Sequence, residues 1–530
     1  MKKRLSMLIC SILLFAVILS MFTGCSKKNE PKVTDTNAPV ELTFFNWELG
    51  KFGTDANVKP LPVYDEICKK LNIKIIPINA PYNNWENSLS IKIAANEVPD
   101  LFIHWGFDRR EQFNKWIQDG MLYPMDENST KYPNLAKQLT RFKDAKAAMQ
   151  GKFYALPISN MQDEDVASFN DHALYIRQDW LDSLNLKMPT TIDEFKQVAI
   201  AFATKDPDKN GKADTSGYGL TNLGGIWWWY PIFHAFGVDQ GGWEKVDGKW
   251  QPDIISAKMK DSVKFMADLY SQKGLDTEFM TTSYDQMRDK FVGGKIGIMA
   301  YNAGPPFYAQ IYDSFVQVYP DKDPKTVFSI MPVSKGIDGK QSVLGFPNFW
   351  SLTSINGLMG DAKITKAQEL LDYLLSDEGL TLLRHGIKDV HYKMEGDKFI
   401  PTLPKYESGK MKKLDNVDPT TEVLKRLVTW DKGFFLEDTI PYLEDQLASR
   451  EPFMKAAELN ELFYVAIPPE NINPIVSTEL GDLVDKTFIK LAADSSDFEA
   501  DWNAFVAEWK SKGGDKVIDE MNKAASAAGK

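Results

Sequence analysis

The chain has 530 residues, a formal net charge of −11 and 12% aromatic residues, among them 14 Trp and 19 Tyr. This length exceeds what one hydrophobic core supports, so it predicts two to four domains. The acidic balance argues against a nucleic-acid partner. Abundant amphipathic rings suit a ligand with apolar faces and polar edges, although core packing must use many of them.

The first 25 residues have the pattern of a secretory signal. A basic start at positions 2–4 precedes an apolar stretch from Leu5 to Phe22, and small residues follow it. The tetrapeptide Phe22–Cys25 (FTGC) resembles a bacterial lipobox, whose cysteine is diacylated before cleavage. We therefore expect residues 1–24 to be a signal peptide and Cys25 to anchor the protein, by lipid alone, to the extracellular face of the cell membrane. The alternative is an N-terminal membrane span, because the apolar stretch approaches the roughly 20 residues that a span requires.

Residues 25–39 comprise this cysteine and a polar segment that predicts a flexible tether. From Val40 onward strands alternate with helices, which indicates an α/β fold with a mainly parallel sheet. The predicted strands are Val40–Trp47, Ile73–Ile78, Asp100–His104, Lys152–Pro157, Ala173–Arg177 and Lys295–Tyr301. The predicted helices are Leu61–Leu71, Trp85–Ala95, Trp180–Asn185, Phe265–Tyr270 and one that begins at a capping box, Thr191 to Glu194, and runs through Ala203. Beyond Ile364 the chain is predicted to be mainly helical.

Six segments, each weak alone, occur in an order and spacing that match a known family. They are VPDLF (Val98–Phe102), WIQDGMLYPMD (Trp116–Asp126), GKFYALP (Gly151–Pro157), ALYIRQDWLDSLNLKMPTTIDEF (Ala173–Phe195), DPDKNGKADTSGYGL (Asp206–Leu220) and FVGGKIGIM (Phe291–Met299). The chain resembles the family-1 extracellular solute-binding lipoproteins of Gram-positive ABC importers. Within that family it is most similar to the long branch that serves oligosaccharide and polysaccharide uptake.

This resemblance implies a two-lobed fold like that of periplasmic binding proteins, with hinge strands and a ligand cleft between two α/β lobes. The first lobe is expected to comprise residues 40–157 and 305–345, and the second residues 158–304 and 346–530, with a helix-rich C-terminal part. The chain is expected to cross between lobes near 157–160, 301–305 and 345–354. A monomer of this kind would capture an oligosaccharide and deliver it to the permease subunits of the importer.

The segment 206–214 has the ligand spacing of an EF-hand calcium loop. Oxygen-bearing side chains stand at loop positions 1, 3, 5 and 9, glycine stands at position 6, and position 7 would contribute its carbonyl. The expected ligands of a structural calcium ion are Asp206, Asp208, Asn210, Lys212 and Asp214. Position 12, a glutamate in a complete EF-hand, is Gly217, so Thr215 or a distant carboxylate would have to complete the shell. The alternative is a polar turn that binds no metal.

Residues that follow predicted strands are the candidates for ligand contact, because ligands of open α/β sheets lie beyond the carboxyl ends of the strands. Sugar rings stack on Trp or Tyr, and their hydroxyls pair with planar polar groups. In the aromatic run from Trp227 to Tyr230, adjacent residues cannot share one face, so at most two should line a cleft. The candidate contacts are Trp47, Glu48, His104, Trp105, Arg177, Trp227, Trp228, Tyr301, Asn302, Asn348 and Trp350. Core packing is the alternative for each Trp, and a structural salt bridge is the alternative for Arg177.

Two other functions remain open from the sequence. A secreted polysaccharide-degrading enzyme, a glycosidase or a lyase, needs only two suitably spaced carboxylates, and the chain has 73 Asp and Glu. Against it, the sequence contains no HExxH, GxSxG or Walker A motif and no Cys/His cluster for a catalytic zinc. A sugar-sensing accessory lipoprotein would use the same hinge and cleft. Loss of three positive charges with the signal peptide takes the net charge from −11 to −14, which favours neutral over acidic sugars only weakly.

Overall fold

The computed structural model describes residues 38–47, 61–81, 84–106, 110–159, 168–169, 172–221, 225–405, 411–429, 443–465, 467–468, 471–472 and 474–530. The expected signal peptide, Cys25, Glu48 and all of the expected tether except its last two residues lie outside these ranges. Residues Val40–Lys530 form one compact unit. Within the described ranges, no helix is both long and apolar enough to cross a membrane.

The order of elements confirms an α/β fold. The strands are β1 (Val40–Trp47), β2 (Ile73–Ala80), β3 (Leu101–His104), β4 (Leu156–Ser159), β5 (Ser168–Phe169), β6 (His172–Arg177), β7 (Ser216–Gly219), β8 (Trp243–Val246), β9 (Lys249–Pro252), β10 (Ile296–Asn302), β11 (Phe328–Ile330), β12 (Val343–Phe346), β13 (Phe349–Ile355), β14 (Tyr392–Glu395), β15 (Lys398–Pro401) and β16 (Ala457–Glu458).

Helices connect these strands and dominate the C-terminal part. They are α1 (Pro62–Leu71), α2 (Trp85–Ala94), α3 (Arg110–Gln118), α4 (Pro133–Arg141), α5 (Lys143–Ala148), α6 (Gln178–Ser183), α7 (Ile192–Thr204), α8 (Tyr230–Ala235), α9 (Ala257–Ser271), α10 (Tyr284–Val292), α11 (Pro305–Val318), α12 (Asp361–Leu374), α13 (Asp377–His385), α14 (Leu414–Val417), α15 (Thr420–Val428), α16 (Leu443–Ala456), α17 (Pro474–Ala493), α18 (Phe498–Trp509) and α19 (Asp515–Ala527). Short 3₁₀ turns lie at Gly225–Trp229, Asp253–Ile255 and Pro324–Thr326, and a π-helical turn lies at Lys510–Gly514.

The first large sheet has the order β2-β1-β3-β13-β4. β1 pairs with β2 in parallel along its whole length, and β3 is parallel to β1. β13 runs antiparallel to both β3 and β4. The carboxyl ends of β1, β2, β3 and β4 therefore meet at one edge, beside the amino end of β13. This edge, called the first-lobe edge below, is defined by Trp47, Ala80, His104, Ser159 and Phe349.

The second large sheet has the order β11-β6-β10-β7. β7 is parallel to β10, whereas β6 runs antiparallel to β10, with His172 opposite Asn302. The carboxyl ends of β7 and β10 therefore lie at the same edge as the amino end of β6. This edge, called the second-lobe edge, is defined by His172, Gly219 and Asn302.

A three-stranded sheet of order β16-β12-β5 contains segments that pass between the two large sheets. β5 follows β4 of the first sheet and precedes β6 of the second, while β12 follows β11 and precedes β13. β5 and β12 pair antiparallel through Phe169 and Gly345, and β16 lies so close that a Cβ built at Gly345 would stand 2.5 Å from the Glu458 carbonyl carbon. These crossing strands leave from the first-lobe edge and the second-lobe edge, so both edges border the hinge.

Each large sheet has its own hydrophobic core. Residues 42–158 and 349–428 build the core of the first lobe. Two further cores pack against the second sheet and draw on residues between 173 and 333 together with residues between 453 and 509. Residues 298–301 of β10 alternate between them, since Ile298 and Ala300 belong to one core and Met299 and Tyr301 to the other.

These contacts correct two of the expected lobe assignments. Residues 305–345 are expected in the first lobe, but α11 packs in a second-lobe core and β11 pairs with β6. The segment from residue 346 is expected in the second lobe, but β13 lies in the first sheet and α12, α13 and α15 pack on the first core. The chain therefore stays in the second lobe near 301–305 and returns to the first between β12 and β13. A hydrophobic pattern identifies strands but not their partners, so the sequence could not assign them.

A buried carboxylate joins distant helices of the first lobe. Asp418 is fully buried, and its Oδ2 accepts a hydrogen bond from the Val63 amide (2.8 Å) in the first turn of α1. Its Oδ1 accepts from the Thr420 amide (3.0 Å) in the first turn of α15. Amides in the first turn have no acceptor within their own helix, and a negative charge is favourable there. One side chain thus caps two helices.

Replacing this carboxylate is expected to destabilise the protein. The Asp418→Ala variant leaves two buried amides without acceptors, which should lower the free energy of unfolding by about 2–4 kcal/mol. Urea unfolding of the purified mature protein measures this loss. The matched control is Asp65→Ala, which removes an exposed carboxylate from the first turn of α1. Equal losses in the two variants would contradict the capping role of Asp418.

Candidate functional site

Four tryptophans gather at the first-lobe edge. Trp47 ends β1, Trp85 begins α2, Trp105 follows β3 and Trp350 lies at the start of β13. The ring centroid of Trp47 lies 4.8 Å from that of Trp85 and 5.7 Å from that of Trp350. The ring centroids of Trp85 and Trp105 are 5.1 Å apart. Trp47 and Trp85 are buried, whereas Trp105 and Trp350 are half-buried. This group, the first-lobe cluster, thus presents two partly exposed rings on two buried ones.

An ionic network supports the first-lobe cluster. The Arg426 guanidinium lies over the Trp47 ring, 5.4 Å from its centroid, and donates from Nη2 to Glu422 Oε1 (2.8 Å). Glu422 also pairs with Lys425 (2.6 Å), which pairs in turn with Asp415 (2.8 Å). Burial alone would raise the pKa of Glu422, but the charges of Lys425 and Arg426 outweigh it and lower that pKa to about 2. Glu422 therefore stays ionised and holds Arg426 against Trp47.

A second aromatic group lies at the second-lobe edge. The ring centroid of His172 lies 4.9 Å from the ring centroids of both Trp227 and Trp228. Trp228 contacts Tyr284 at 5.0 Å, and Tyr284 stacks on Tyr301 at 4.3 Å with an interplanar angle of 9°. His172, Trp227 and Tyr284 are half-buried, whereas Trp228 and Tyr301 are buried. These five residues form the second-lobe cluster.

The four aromatic residues from Trp227 to Tyr230 differ in burial, because adjacent side chains of a turn point in different directions. Trp227 is half-buried, and the three residues after it are buried. Trp229 packs inward against Phe233 and Phe279 in the second-lobe core. The structure therefore leaves Trp227 as the most accessible ring of the run.

Asp485 of α17 holds this aromatic run in place. Its Oδ1 accepts hydrogen bonds from the Ile226 amide (3.3 Å) and from Gln240 Nε2 (3.4 Å). Gly225 precedes the run at φ +64°, and a Cβ there would lie 2.0 Å from Asp485 Oδ2, so only glycine fits. Burial raises the pKa of Asp485 to about 6, partly opposed by the Ile226 hydrogen bond, and the Asp482 charge adds to the rise.

Asn302 lies at the end of β10 and is half-buried. Its amide donates to the Tyr284 hydroxyl (3.2 Å), and its Oδ1 accepts from the Gly304 amide (2.7 Å). Its carbonyl accepts from the Tyr175 hydroxyl (3.1 Å). Burial raises the pKa of the neighbouring Tyr301 to about 12, so that hydroxyl remains a neutral donor at physiological pH.

Three other predicted contacts are buried. Arg177 is 3% exposed and donates from Nε and Nη2 to Asp179 (2.8 and 2.7 Å). Because β6 is antiparallel to β10, its carboxyl end lies at the opposite edge of the sheet, so Arg177 forms a structural salt bridge there. His104 is buried beneath the first-lobe cluster, and Asn348 is buried between β12 and β13.

Trp85, His172 and Tyr284 belong to the clusters but were not singled out by their position in the sequence. Trp85 begins the helix after β2, and a helix that follows a parallel strand begins at the edge where that strand ends, which is a usable signal. His172 begins an antiparallel strand, and Tyr284 begins a helix that packs beside it. Only the strand order reveals that these two residues share an edge.

The predicted calcium loop is a tight turn after α7. Asp206 accepts hydrogen bonds from the Asn210 amide (3.1 Å) and the Gly211 amide (3.0 Å). Asn210 Nδ2 donates to Asp208 Oδ2 (2.7 Å) and to Asp214 Oδ1 (3.0 Å). Partial burial and the hydrogen-bonded Asp206 carboxylate raise the pKa of Asp208. Three carboxylates therefore crowd one loop, an oxygen-rich donor set of the kind that Ca²⁺ prefers.

One detail of this loop differs from the sequence-based expectation, and another explains the departure from the EF-hand pattern. Thr215 is buried and its hydroxyl donates to the Phe202 carbonyl (2.8 Å), so it is not placed to complete a metal shell. A Cβ at Gly217 would lie 2.1 Å from the Ala199 carbonyl oxygen, which explains why a glutamate cannot occupy position 12. Lys295 pairs with Asp214 (2.7 Å) and lowers its pKa. Among the residues that the structure describes, no cluster of three or more His, Cys, Asp and Glu forms a ready metal site.

Two α/β lobes, joined by crossing strands and each presenting aromatic rings at the edge that borders the hinge, define the class of two-lobed solute-binding proteins. Residues 56–381 match the family described as bacterial extracellular solute-binding protein. This match spans more than half of the chain, so the protein belongs to that family.

Similar proteins are known from several bacteria. The polygalacturonan/rhamnogalacturonan-binding protein YtcQ of Bacillus subtilis (strain 168) is 27% identical over 508 residues, which cover 90% of this chain and 93% of YtcQ. The crystal structure of the alginate-binding protein AlgQ2 without calcium ion has a TM-score of 0.68 at 18% identity and covers 93% of this chain and 99% of that one. The S. pneumoniae ABC-transporter substrate-binding protein FusA, an EF-hand mutant in complex with fructo-nystose, has a TM-score of 0.65 at 17% identity and covers 92% and 99%. At such identities the two structures show the fold alone.

The raised pKa of Asp485 predicts a pH effect on stability. The folded protein binds a proton at this carboxyl more tightly than the unfolded chain, so the contribution of Asp485 falls as the pH rises from about 4 to about 6. The Asp485→Asn variant keeps an acceptor for Ile226 but removes this titration. Its melting temperature relative to the unmodified protein should therefore rise between pH 4 and pH 7.

Melting curves at four pH values in that range measure the difference. Asp494→Asn, which neutralises an exposed carboxylate just after the same helix, is the control and should show a flat difference. A flat or falling difference for Asp485→Asn would contradict the assignment.

Proposed function

We propose that this protein is the substrate-binding lipoprotein of an ABC importer and captures an oligosaccharide between its two lobes for delivery to a membrane permease. The observation that carries the proposal is the pair of aromatic clusters at the two sheet edges that border the hinge. A ligand that contacts both lobes favours the closed state, and that difference in affinity lets a permease distinguish loaded from empty protein. The family supports ligand capture rather than polysaccharide cleavage, and the names of YtcQ, AlgQ2 and FusA support a saccharide ligand.

Within this proposal, the half-buried rings bind the sugar and the buried ones support them. Trp105 and Trp350 in the first lobe and Trp227 in the second would stack on the apolar faces of sugar rings. Trp47, Trp228 and Tyr301 would act mainly from behind these rings. Asn302, and Glu48 outside the described residues, are the proposed polar contacts for sugar hydroxyls.

The charges beside the clusters bear on the class of sugar. Arg426, which lies over the Trp47 ring, pairs with Glu422. Arg288, whose charge reaches Tyr301, pairs with Asp285 (3.0 Å) and Asp289 (2.9 Å). A uronate carboxylate would have to compete with these acidic partners for each guanidinium. At these two positions, therefore, the surroundings favour neutral sugar rings.

The membrane anchor is part of the same proposal. The family is extracellular by description, and the Phe22–Cys25 tetrapeptide is placed to supply a lipidated cysteine. A polar tether of about 15 residues would hold the binding lobes roughly 20 Å from the membrane surface, within reach of a permease.

We also propose that the loop at 206–214 binds a structural calcium ion. The ligands would be the side-chain oxygens of Asp206, Asp208, Asn210 and Asp214 and the carbonyl of Lys212. The crowding of carboxylates supports this, as does the mention of calcium or an EF-hand in the names of two similar structures. Bound calcium would relieve the repulsion between carboxylates and stiffen the turn that leads into β7.

Binding of sugars is testable by isothermal titration of the mature protein. The probes are nystose as a neutral oligosaccharide, and trigalacturonate and an alginate trisaccharide as acidic ones. We expect one class to bind and to raise the melting temperature, because a ligand of the native state stabilises it by mass action. Trp105→Ala and Trp227→Ala should each weaken that binding about 5- to 30-fold.

The matched control for these variants is Trp243→Ala, which removes a partly buried tryptophan from the β8–β9 hairpin that belongs to neither cluster. It should leave the association constant unchanged. If all three variants bind alike, the aromatic clusters are not the site. If the probes emerge cleaved, the protein is an enzyme and the proposal fails.

Calcium is tested by its removal. A chelator should lower the melting temperature of the mature protein, since calcium at 100 times its Kd stabilises the native state by about 2.7 kcal/mol. A double variant, Asp206→Asn with Asp208→Asn, should lose the response to chelator. Asp338→Asn, in an exposed turn elsewhere, should retain it. A response that persists in the double variant would place the ion at another site.

A further inference from the structure

A small cavity is lined in part by Trp105 in the first lobe. It has a volume of about 20 Å³ and is lined by the end of β3 and by facing residues of α2 and α3, among them Glu86, His104, Trp105, Gly106 and Trp116. A water-sized group needs roughly 10–15 Å³ of such space. The cavity therefore has room for one water-sized group.

Two buried nitrogen atoms belong to rings that line this cavity. His104 is 2% exposed and Trp116 is 6% exposed, and their rings meet edge to face with centroids 5.4 Å apart. His104 Nδ1 and Trp116 Nε1 are both buried, and neither has a hydrogen-bond partner among the residues that the structure describes. Buried polar atoms are seldom left without a partner because their desolvation is costly.

The hydrogen-bond network fixes which of these nitrogens donates. The Ser354 hydroxyl donates its single hydrogen to the Tyr154 carbonyl (3.0 Å), so it must accept from His104 Nε2 (2.9 Å). His104 therefore carries its hydrogen on Nε2 and offers a lone pair at Nδ1. Burial lowers the pKa of His104 to about 3, which keeps the ring neutral at physiological pH. Trp116 Nε1 can only donate.

Gly106 leaves the Nδ1 edge of His104 open. A Cβ built at Gly106 would stand 2.9 Å from His104 Nδ1 and 2.8 Å from Leu352 Cδ1. Any side chain at this position would therefore fill the space in front of the acceptor nitrogen. Because Gly106 has no Cβ, the acceptor nitrogen Nδ1 of His104 is left uncovered at this point of the cavity wall.

We infer that the cavity is a binding site for one uncharged hydroxyl-type oxygen, which accepts a hydrogen bond from Trp116 Nε1 and donates one to His104 Nδ1. In the free protein this oxygen belongs to water. In the loaded protein it belongs to a hydroxyl of the sugar ring on Trp105, and this second source rests on the proposed function. A carboxylate is excluded because it has no hydrogen to donate to Nδ1. The cavity thus selects a hydroxyl at this point of the sugar.

Crystal structures of the mature protein, free and with nystose or trigalacturonate, test the site directly. We expect an oxygen within about 3.2 Å of both nitrogens, from water in the free protein and from a sugar hydroxyl in the complex. A water that persists in the complex would confirm the hydroxyl-type site and overturn the sugar as its occupant. An empty cavity, or a carboxylate oxygen within it, would overturn the inference.

Titration of nystose gives the corresponding test in solution. Trp116→Phe removes the donor and should weaken nystose binding about threefold to tenfold. Trp250→Phe is the matched control, because Trp250 is also 6% exposed with a buried Nε1 but lies in the β8–β9 hairpin. Equal effects in the two variants would overturn the role of Trp116 in sugar binding.

A third measurement separates this inference from the proposed function. The ¹⁵N resonance of His104 Nδ1, assigned with His104→Gln, reports whether the nitrogen accepts a hydrogen bond without any sugar present. We expect a hydrogen-bonded shift in the unmodified protein and an unbonded shift in Gly106→Ala, where the added methyl group closes the cavity. If no sugar binds but this difference is found, the proposed function fails while the hydroxyl-type site stands. The same shift in both proteins would overturn the site.

Discussion

The backbone pairing of β13 with β3 brings together residues that are about 250 positions apart, as the hydrogen bond between His104 and Ser354 illustrates. β13 lies between β3 and β4 and runs antiparallel to both. Its amino end therefore lies beside their carboxyl ends. Trp350 therefore stands beside Trp47 at the first-lobe edge. Had β13 been parallel to its neighbours, Trp350 would lie at the far edge of the sheet. The position of the cluster thus depends on one choice of strand direction.

Much of the local structure could be predicted from the sequence. The pattern of β-branched and aromatic residues gave β1 with the observed bounds, and β10 within one residue at each end. The Thr191 cap is present, although the Glu194 carboxylate bonds the amide and hydroxyl of Thr190 rather than the amide of Thr191. Helices such as α3, α4 and α11 were not predicted, although Pro133 and Pro305 stand at the first positions of α4 and α11, where proline is a helix-start signal.

The site was harder to predict because it depends on partners. Residues after strands are a sound guide only where the strands are parallel, so the rule placed Trp47, Trp105 and Asn302 at the hinge edges but misplaced Arg177. It also could not find His172, which begins an antiparallel strand. The burial of each tryptophan could not be predicted either, since the sequence does not show which rings will be buried and which will be partly exposed.

The two clusters have a common construction. In each, partly exposed rings rest on buried rings, and an ionised group fixes the turn or the ring from behind: Glu422 acts through Arg426 in the first lobe, and Asp485 holds the Gly225–Trp229 turn in the second. Such support keeps a ligand surface in place before the ligand arrives, which lowers the entropy that binding must remove.

The strand order of the first sheet also constrains how the protein is made. β13 lies between β3 and β4, and Asp418 caps a helix that begins at residue 62. A chain that is exported with its N-terminus first cannot complete this sheet until β13 has emerged, nor seal its first helix until residue 418 has followed. Until then β3 has an unpaired edge, and unpaired strand edges favour slow folding and aggregation. Completion of the first lobe therefore requires residues as late as 418 of the 530.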